Sequence, residues 1–391
     1  MNPGAAPHRT RILRGIGEID AASWDALAGT AEPFLRHEFL AALEETGCVT
    51  HRHGWAPRHL VIDDGGGRML GAMPLYLKAH SRGEFVFDFA WANAYQEHGL
   101  DYYPKLVTAI PFTPVSGSRL LTAPSVEAAA VRGELIRAAR EYAHGEGLSS
   151  WHVLFPPEEQ AAQLRAAGLI LRRDCQFHWH NRGYDSFDAF LATFTAEKRK
   201  KAKRERRRVA EAGITFQTLF GGEIDAPLWE RLYAFYADTF HRHGHEPYLN
   251  LAFFRRIGTA LPQSLMVKVA RLGAEPIAVA IFFIGADTLY GRYWGAGGDY
   301  HSLHFETCYY QGIDFCIERG LARFEPGTQG EHKVPRGFVP AATTSAHHIE
   351  DRRFAAAIRD FAAREARSVD QYMAAVGEHV PYHRDPEALQ L

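Results

Sequence analysis

The sequence has few cysteines and lacks long uncharged apolar runs, and these two shortages limit the kinds of protein that it can encode. Its 391 residues include four cysteines, Cys48, Cys175, Cys308 and Cys316, and none of them belongs to a C-x-x-C pair. Cys308 and Cys316 fall in one predicted helix, separated by a rise of about 12 Å, so they cannot form a disulfide with each other. We therefore expect a reducing, cytoplasmic environment.

No stretch reaches the roughly 18 uncharged residues of a membrane span. The first residues, MNPGAAPHRTR, contain no apolar core of signal-peptide length. We therefore expect neither export nor a membrane span. The formal net charge is only -2, which argues against a protein that binds nucleic acid through its overall charge.

Several common catalytic motifs are absent as well. The sequence contains no Walker A, G-x-S-x-G or H-E-x-x-H motif, so P-loop phosphoryl transfer, lipase-type hydrolysis and zincin chemistry lack their usual residues. His241, His243 and His245 alternate and could ligate a metal, but Gly244 and Pro247 indicate a flexible surface turn, which does not preform a metal site. We predict no metal centre.

The two halves of the sequence repeat one order of elements: three strands, a helix and a further strand. The predicted elements lie at 58–62, 69–79, 84–91, 126–144 and 150–155 in the first half, and at 265–271, 277–284, 288–294, 302–319 and 322–324 in the second. This repeat predicts a duplicated α/β unit with mixed, mostly antiparallel sheets. The predicted domains are 10–180 and 185–345, and residues 346–391 are predicted to form a last helix and tail that pack back on them.

A strongly basic helix is predicted at the start of the second domain. Nine of the eleven residues in Lys198–Arg208 are basic. One interpretation is a solvated helix that connects the domains. The other is a contact to the phosphates of a nucleotide or an RNA backbone, made by Lys198, Arg199, Lys203 and Arg206.

The segment after the last predicted strand of the second half carries the main candidates for chemistry. It contains an acid, Glu331, an imidazole, His332, and two cations, Lys333 and Arg336, and Phe338 follows. Loops that leave the end of a sheet strand often carry functional groups in α/β folds. We predict that Glu331, His332 and Lys333 are catalytic and that Arg336 and Phe338 bind substrate. The alternative is that these charges pair with one another and merely cap the sheet.

The corner before the helix at 302–319 is a second candidate region. Arg292–Gly297 matches R-x-x-G-x-G, the pattern with which acetyl-CoA-dependent transferases hold a pyrophosphate on backbone N–H groups. The match lies on the predicted strand itself, whereas the corner that follows it has no glycine. Tyr293, Trp294 and His301 are predicted to contact substrate, and packing in the core is the alternative for the two aromatic residues.

The order of these motifs resembles the C-terminal half of the FemAB-like proteins, which are tandem members of the GNAT acyltransferase superfamily. The similar segments are Tyr293–Ala296, Tyr300–Ser302, K-x-x-R-G-F at 333–338, and two long runs, Tyr102–Leu121 and Gly327–His347. The resemblance covers most of the chain, residues 10 to 375. It is to the branch described as predicted N-acyltransferases or peptidoglycan biosynthesis/recognition proteins.

The resemblance implies two GNAT-like domains, each with a mixed sheet flanked by helices. It implies no tightly bound cofactor, a co-substrate that is acyl-CoA or aminoacyl-tRNA, and an acceptor amine on a small molecule, a peptide or a cell-wall precursor. Lys333 falls on the lysine of the Phe-Lys motif of tRNA-dependent members, with His332 in place of the aromatic residue. The basic stretch that ends at Gly213 is similar to their K/R-rich segment.

We therefore expect an N-acyltransferase that transfers an acyl or aminoacyl group to an amine. Trp91, Tyr102, Tyr103 and Lys105 are predicted to line the acceptor site, with a packed Ω-type loop as the alternative. The donor stays open, because the missing glycine corner argues against acyl-CoA and the near-neutral charge argues against tRNA. A non-catalytic module that recognises peptidoglycan peptides is the rival function.

Overall fold

The computed structural model describes residues 8–328 and 330–383, which fold into two compact units. Unit 1 consists of Met1–Asp174 and Ala342–Asp370, and unit 2 of Cys175–Ala341 and Gln371–Leu391. The predicted domains differ from these units mainly near the C-terminus, where residues 342–370 belong to unit 1. The end of the predicted tail, residues 384–391, lies outside the described residues.

The helices and strands of the described residues follow one another along the chain. The strands are β1 (Arg9–Leu13), β2 (Trp55–Pro57), β3 (His59–Asp63), β4 (Met69–Met73), β5 (Leu75–Lys78), β6 (Lys105–Thr108), β7 (Leu121–Thr122), β8 (Ser150–Leu154), β9 (Ile170–His180), β10 (Ile214–Phe220), β11 (Leu265–Leu272), β12 (Glu275–Ile284), β13 (Thr288–Ala296), β14 (Arg323–Glu325) and β15 (Val339–Ile349). The helices are α1 (Ala21–Ala28), α2 (His37–Glu45), α3 (Phe89–Glu97), α4 (Ala128–Gly145), α5 (Glu158–Ala166), α6 (Phe187–Ala192), α7 (Ala196–Glu211), α8 (Ala226–Arg242), α9 (Leu251–Ala260), α10 (Leu303–Phe305), α11 (Gln311–Arg319) and α12 (Arg352–Gly377).

Local sequence explains where several helices begin and end. Asp20, Ser186, Asp225 and Asn250 each precede a helix and accept a hydrogen bond from the backbone N–H three residues on. This side-chain cap satisfies one of the N–H groups that the first helical turn leaves without a partner. At the C-terminal end of α11, Gly320 adopts φ 65°, the left-handed conformation that favours glycine.

Unit 1 is built on two groups of strands. One sheet has the order β1-β3-β4-β7 with antiparallel neighbours. The other strands lie in the order β15-β8-β6-β5-β2, in which β6 and β8 are parallel. Strand β15 comes late in the chain but pairs with β8, with His347 opposite His152. This pairing explains why residues 342–370 belong to unit 1.

Unit 2 contains strands in the order β10-β11-β12-β13-β14-β9. Its neighbours are antiparallel except β13 and β14, which are parallel and are joined by the helical segment that includes α10 and α11. The apolar core includes Trp179, Phe190, Phe324 and Phe338, all 0% exposed. Each unit thus has a parallel strand pair connected through helices, and the predicted duplicated α/β fold is confirmed.

One predicted strand, at 84–91, is wrong. Residues Phe89–Glu97 form helix α3, and the chain before it turns at Phe85, whose φ is 60°. Asp88 is buried and faces Lys105, whereas Phe87 and Phe89 on either side of it are exposed. The alternation that predicted a strand therefore reflects an inward carboxylate between two outward aromatic rings.

Candidate functional site

The candidate site of unit 2 lies where β13 and β14 separate. The two strands pair from Thr288 to Tyr290, opposite Arg323 to Glu325, and β13 continues beyond the last pair to Ala296. The register of β13 against β12 shifts so that Tyr293 faces Ile281 and Gly291 faces Phe282, which leaves Arg292 as an extra, bulged residue. Bulges of this kind redirect side chains and are frequent next to active sites.

The loop that follows β14 brings Lys333 into the interior of unit 2. We call Gly330–Gly337 the lysine loop; its residues Glu331–Arg336 form a 3₁₀ turn. Lys333 is 2% exposed, and its Nζ donates a hydrogen bond to the carbonyl oxygen of Gly327 at 2.7 Å. Burial lowers the pKa of the Lys333 ammonium from its ordinary value to about 7. The amine is therefore present in both protonation states near neutral pH.

His332 lies beside Lys333 in a group of aromatic rings. Its Nε2 is 2.7 Å from the hydroxyl oxygen of Tyr309, and its ring is 5.9 Å from that of His304. His332 is itself exposed, and the partial desolvation of its ring, followed by the charges of Lys333 and Arg336, lowers its pKa. Burial also lowers the pKa of His304 to about 4, so this imidazole is neutral at pH 7.

An irregular helical turn positions the tyrosines that contact the lysine loop. Residues Glu306–Tyr310 form a π-helical turn between α10 and α11. Tyr309 contacts His332, while the next residue, Tyr310, donates a hydrogen bond to Glu205 Oε2 at 2.6 Å. Turns of this type occur frequently at functional sites.

Arg336 and Phe338 were predicted to bind substrate, but both side chains are inside unit 2. Arg336 is 4% exposed and forms a two-pronged ion pair with Glu205, with N–O distances of 3.1 and 2.7 Å. Its guanidinium also lies over the ring of Phe305. Phe338 is fully buried and packs against Phe324 and Tyr309. Long-range packing thus directs both side chains into the core.

The other predicted residues near the loop have mixed environments. Glu331 is exposed, and its Oε1 accepts a hydrogen bond from the hydroxyl of Tyr372 at 2.9 Å. His301 is also exposed, with Nδ1 2.7 Å from the hydroxyl of Ser302. Tyr293 and Trp294 are half-buried, and their rings contact Tyr236 and His304 respectively.

A cavity of about 320 Å³ opens beside Trp294 and His304. Residues from the end of α8, the end of β13 and the corner before α10 line it: Thr239, Arg242, His243, Ala296, Gly298, Asp299, Tyr300 and Leu303. Among the lining residues, His304 is the one whose ring lies 5.9 Å from the ring of His332. The cavity is large enough for a small acyl or aminoacyl group.

The glycines of the R-x-x-G-x-G pattern make room for helix α8. A Cβ added to Gly295 would lie 2.1 Å from the carbonyl oxygen of Phe235, and one added to Gly297 would lie 2.8 Å from the Phe235 ring. Gly295 is also paired with Val279 in the sheet. Close packing between strand and helix thus accounts for these glycines without a bound pyrophosphate.

The predicted phosphate contacts on α7 divide between the two faces of that helix. Arg206 turns inward and pairs with Asp314 Oδ2 at 2.6 Å and Glu306 Oε1 at 3.1 Å. Lys203 is exposed and pairs with Asp188, whereas Lys198 and Arg199 are half-buried. Six cations are exposed along the helix: Lys200, Lys201, Lys203, Arg204, Arg207 and Arg208.

The predicted acceptor residues form a buried polar network in unit 1. Lys105 is 0% exposed, and its Nζ contacts Glu84 Oε2 at 2.8 Å and Asp88 Oδ2 at 2.5 Å. Tyr102 donates a hydrogen bond to Asp88, and Trp91 is buried, while Tyr103 is half-buried. Their placement is that of a packed loop, because the ammonium is surrounded by carboxylates rather than solvent.

Sequence reasoning missed other members of these networks. In unit 1, Nδ1 of His152 and Nδ1 of His347 are 2.6 Å apart, and each ring also contacts the serine two positions earlier. The repeated S-x-H pattern on two strands, Ser150–His152 and Ser345–His347, was a usable signal because alternate strand residues share a face. In unit 2, Glu205 and Tyr310 gave no such local signal.

Residues 8–328 and 330–383 show neither a metal-binding group nor a membrane-spanning helix. No three or more His, Cys, Asp or Glu side chains are arranged there to hold a metal ion. His241, His243 and His245 are exposed. In the same part of the chain, no helix combines the length and the apolar character that crossing a bilayer requires.

Comparison with known proteins gives both a family and a fold. No curated protein matches the sequence. The structure of FemX is similar, with 11% identity, 87% of this chain and 98% of that chain covered, and a TM-score of 0.54. The C-terminal domain of a putative lysylphosphatidylglycerol synthetase from Agrobacterium fabrum matches with 10% identity, 90% and 97% coverage and a TM-score of 0.53. A tandem GNAT protein of the clavulanic acid pathway matches with 12% identity, 88% and 98% coverage and a TM-score of 0.47.

At these identities the structural likenesses show the fold alone, and the mixed α/β fold of this chain is shared with FemX and with the lysylphosphatidylglycerol synthetase domain. The family is shown by the sequence itself. Residues 15–384 match the FemAB-like family, described as peptidoglycan biosynthesis/recognition. This match spans nearly the whole chain and includes both long runs that resembled the family. The protein is therefore a member of the FemAB-like family.

Proposed function

We propose that this protein is an N-acyltransferase of the cytoplasm that transfers an acyl or aminoacyl group from an activated donor to an amine. The family and the fold support a transferase of the acyl or aminoacyl kind. The observation that carries the proposal is the buried amine of Lys333, which lies beside His332 where β13 and β14 separate. Burial lowers the pKa of this amine to about 7. Strongly shifted lysines of this kind concentrate at functional sites.

The reaction requires two contributions from the side chains of this protein. As the acceptor nitrogen attacks the donor carbonyl carbon, negative charge develops on the carbonyl oxygen, and the Lys333 ammonium is suited to stabilise it. The new C–N bond leaves a proton on nitrogen, which must be removed, while the bond to the leaving oxygen or sulfur breaks and that atom gains a proton. His332, neutral at pH 7 because its pKa is lowered, is the nearest candidate to accept the proton.

Glu331 and Arg336 fit these tasks less well. The Glu331 carboxylate is exposed and is bound by Tyr372, so it remains a candidate only for proton transfer near the surface. Arg336 is committed to Glu205 and to the lysine loop itself. Trp294 and His304 border the cavity at the end of β13, which we assign to the transferred group.

Two observations favour aminoacyl-tRNA over acyl-CoA as the donor. The close packing of α8 explains Gly295 and Gly297. These glycines are therefore not evidence for the pyrophosphate of acyl-CoA. The exposed cations of α7 offer a sequence-independent contact for a polynucleotide backbone. The acceptor is then an amine on an amino acid, a peptide or a cell-wall precursor, as the family description suggests.

The donor assignment is tested by salt dependence. Neutralising Lys200, Lys201, Arg204 and Arg208 to Gln should weaken tRNA binding and reduce the slope of log K against log salt by about 0.7–0.9 for each phosphate that the helix no longer neutralises. The control neutralises four exposed arginines of α12, Arg353, Arg359, Arg364 and Arg367, and should leave the slope unchanged. If the α7 variant keeps the wild-type slope, as the α12 control should, α7 does not bind tRNA.

The catalytic proposal is tested with Lys333→Ala. The assay offers acetyl-CoA, longer acyl-CoAs and mixed aminoacyl-tRNAs as donors and a panel of amino acids and muropeptides as acceptors. With the active pair, Lys333→Ala should lower kcat about 10²–10³-fold, and Arg359→Ala, at an exposed position of α12, should not. Near-full turnover by a folded Lys333→Ala variant would exclude Lys333 as the catalytic centre. Muropeptide binding without any transfer would favour the rival recognition function.

A further inference from the structure

The basic helix α7 carries one carboxylate in an unusual position. Glu205 lies within the run of cations, yet it is 6% exposed and shares the inner face of the helix with Ala202 and Val209. A glutamate in such a run could pair with helix neighbours three or four residues away at little cost. Glu205 instead reaches Arg336, which is 131 positions away in the chain.

The contact between Glu205 and Arg336 is geometrically specific. Both carboxylate oxygens of Glu205 accept hydrogen bonds from Arg336, and Oε2 accepts a further one from the Tyr310 hydroxyl at 2.6 Å. Two-pronged arginine–carboxylate pairs fix the orientation of both groups. Both charges are nearly fully buried, so the pair costs desolvation and is weak evidence for a gain in stability.

Arg336 carries this constraint into the lysine loop. Its Nη1 donates a hydrogen bond to the carbonyl oxygen of His332, the residue directly before Lys333, and its guanidinium lies over Phe305. At the other side of His332, the Tyr309 hydroxyl is 2.7 Å from Nε2. The backbone on which Lys333 is mounted is thus held from α7 and from the π-helical turn together.

The neighbour of Glu205 fixes the same turn. Arg206 pairs with Glu306, at the first residue of the π-helical turn, and with Asp314 in α11. The two consecutive residues Glu205 and Arg206 therefore tie one turn of α7 to the lysine loop and to the segment that carries Tyr309 and Tyr310. Glu205 and Arg206 each pair with a group of opposite charge. Their main effect is therefore to fix the positions of the joined segments rather than to leave a net charge at the site.

We infer that Glu205 is a positioning residue for Lys333, acting through Arg336 to hold the lysine loop closed around the amine. The inference rests on the proposed function, in which Lys333 is the catalytic cation. Glu205 touches no reacting group. Its role is to keep the Lys333 amine in the dry environment that the loop provides.

The test measures the titration of Lys333 directly, without a substrate. Protein labelled with ¹³C at lysine Cε is titrated by NMR, and the Lys333 signal is assigned by its loss in Lys333→Arg. The charged or titratable groups that face Lys333 are Cys308, His178, His304 and His332. Glu205 is not among the groups that shift the pKa of Lys333, so its effect must come through the loop.

Glu205→Gln should raise the titration midpoint of Lys333 by about one pH unit or more, because a loosened loop admits water and favours the ammonium. A direct electrostatic role would lower the midpoint, since removal of a nearby negative charge disfavours the ammonium. The control is Glu211→Gln on the same helix, whose partner Arg207 is exposed. An unchanged or lowered midpoint in folded Glu205→Gln overturns the inference.

Two milder variants keep the test decisive if Glu205→Gln fails to fold. Tyr310→Phe removes one hydrogen bond to Glu205, and Arg336→Lys keeps the cation but loses the two-pronged geometry. Both should raise the midpoint, and failure of both to do so overturns the inference. In the transfer assay Glu205→Gln should lower kcat on the order of 10–100-fold with little change in KM. Failure of the proposed function itself appears separately, as full activity in Lys333→Ala.

Discussion

The buried amine of Lys333 makes protein stability depend on pH in the alkaline range. Its pKa in the folded protein is about 7, below the ordinary value of 10.5. Between these values the unfolded chain binds more protons than the folded one, so this lysine makes folding more favourable as pH rises from 7 towards 10.5. Below pH 7 both states are protonated, and the contribution no longer changes.

Lys333→Met isolates this effect, because methionine fills a similar space without a charge. The free energy of unfolding of the variant minus that of the wild-type protein should fall by about 2–4 kcal/mol between pH 7 and pH 10. Urea unfolding at several pH values measures it. Lys200→Met, at an exposed position of α7, is the matched control and should give a constant difference. A constant difference for Lys333→Met would contradict the lowered pKa.

Lys105 presents the opposite electrostatic situation. Its ammonium is buried between two buried carboxylates, and their charges keep its pKa raised despite the opposing effect of burial. Lys105→Met would leave Glu84 and Asp88 buried together without their cation. We expect a loss of about 3–5 kcal/mol in the free energy of unfolding.

Thermal and urea unfolding would measure this loss, and Lys105→Met/Asp88→Asn should recover part of it. The control is Arg68→Met, which breaks the exposed pair with Asp64 and should cost about 1 kcal/mol or less. A stable Lys105→Met protein with weakened acceptor binding would instead support the acceptor role predicted for Lys105. The two outcomes separate a structural ion cluster from a substrate contact.

At the scale of elements, the contact between β13 and α8 depends on a glycine. The Cβ of Gly295→Ala would lie 2.1 Å from a backbone oxygen of α8, a distance that requires the helix to move. We expect a loss of more than about 2 kcal/mol in the free energy of unfolding. Gly298→Ala is the control, since its Cβ would make an ordinary contact of 3.5 Å with Tyr300.

Calorimetry of the two variants distinguishes packing from ligand binding. Should Gly295→Ala remain as stable as the wild-type protein and lose only acyl-CoA binding, the glycine would belong to a pyrophosphate site. Destabilisation without any ligand assigns it to the packing of α8. The same measurement thus bears on the choice of donor.

At the scale of the whole molecule, unit 1 is assembled from two distant chain segments. Ile349, Ile358 and Ala362, from the second segment, share a core with Trp91 and Ile170, among others. Strand β15 covers β8, whose five residues are buried. A fragment with residues 8–174 alone should therefore expose an apolar strand edge and show no cooperative unfolding transition.

Fusing residues 342–370 to this fragment through a flexible linker should restore a cooperative transition in circular dichroism. A fusion with the same 29 residues in scrambled order is the control for length and composition. If residues 8–174 unfold cooperatively by themselves, the second segment is an addition to unit 1 rather than part of its core. The predicted domain 10–180 would then be the better description of the folding unit.

Local sequence predicted the fold class, although the third strand of the first copy, at 84–91, was wrong. The repeated order of strands and helices predicted the duplicated unit, because alternating and helical hydrophobic patterns report which face of an element is buried. Caps such as Asp225 and the helix stop at Gly320 are similarly local, since each depends on atoms within a few residues. The sequence also singled out the lysine loop, because an acid, an imidazole and two cations occur together there.

The tertiary structure decided which of those side chains are available for chemistry. The inward direction of Arg206 and the pairing of Arg336 with Glu205 depend on residues more than 100 positions apart. A π-helical turn directs Tyr309 and Tyr310 to the loop, and a strand pattern fails at Asp88 because Lys105 holds it inside. Sequence determines the propensity of each segment, but burial and pKa arise from the three-dimensional packing of distant segments around each charge.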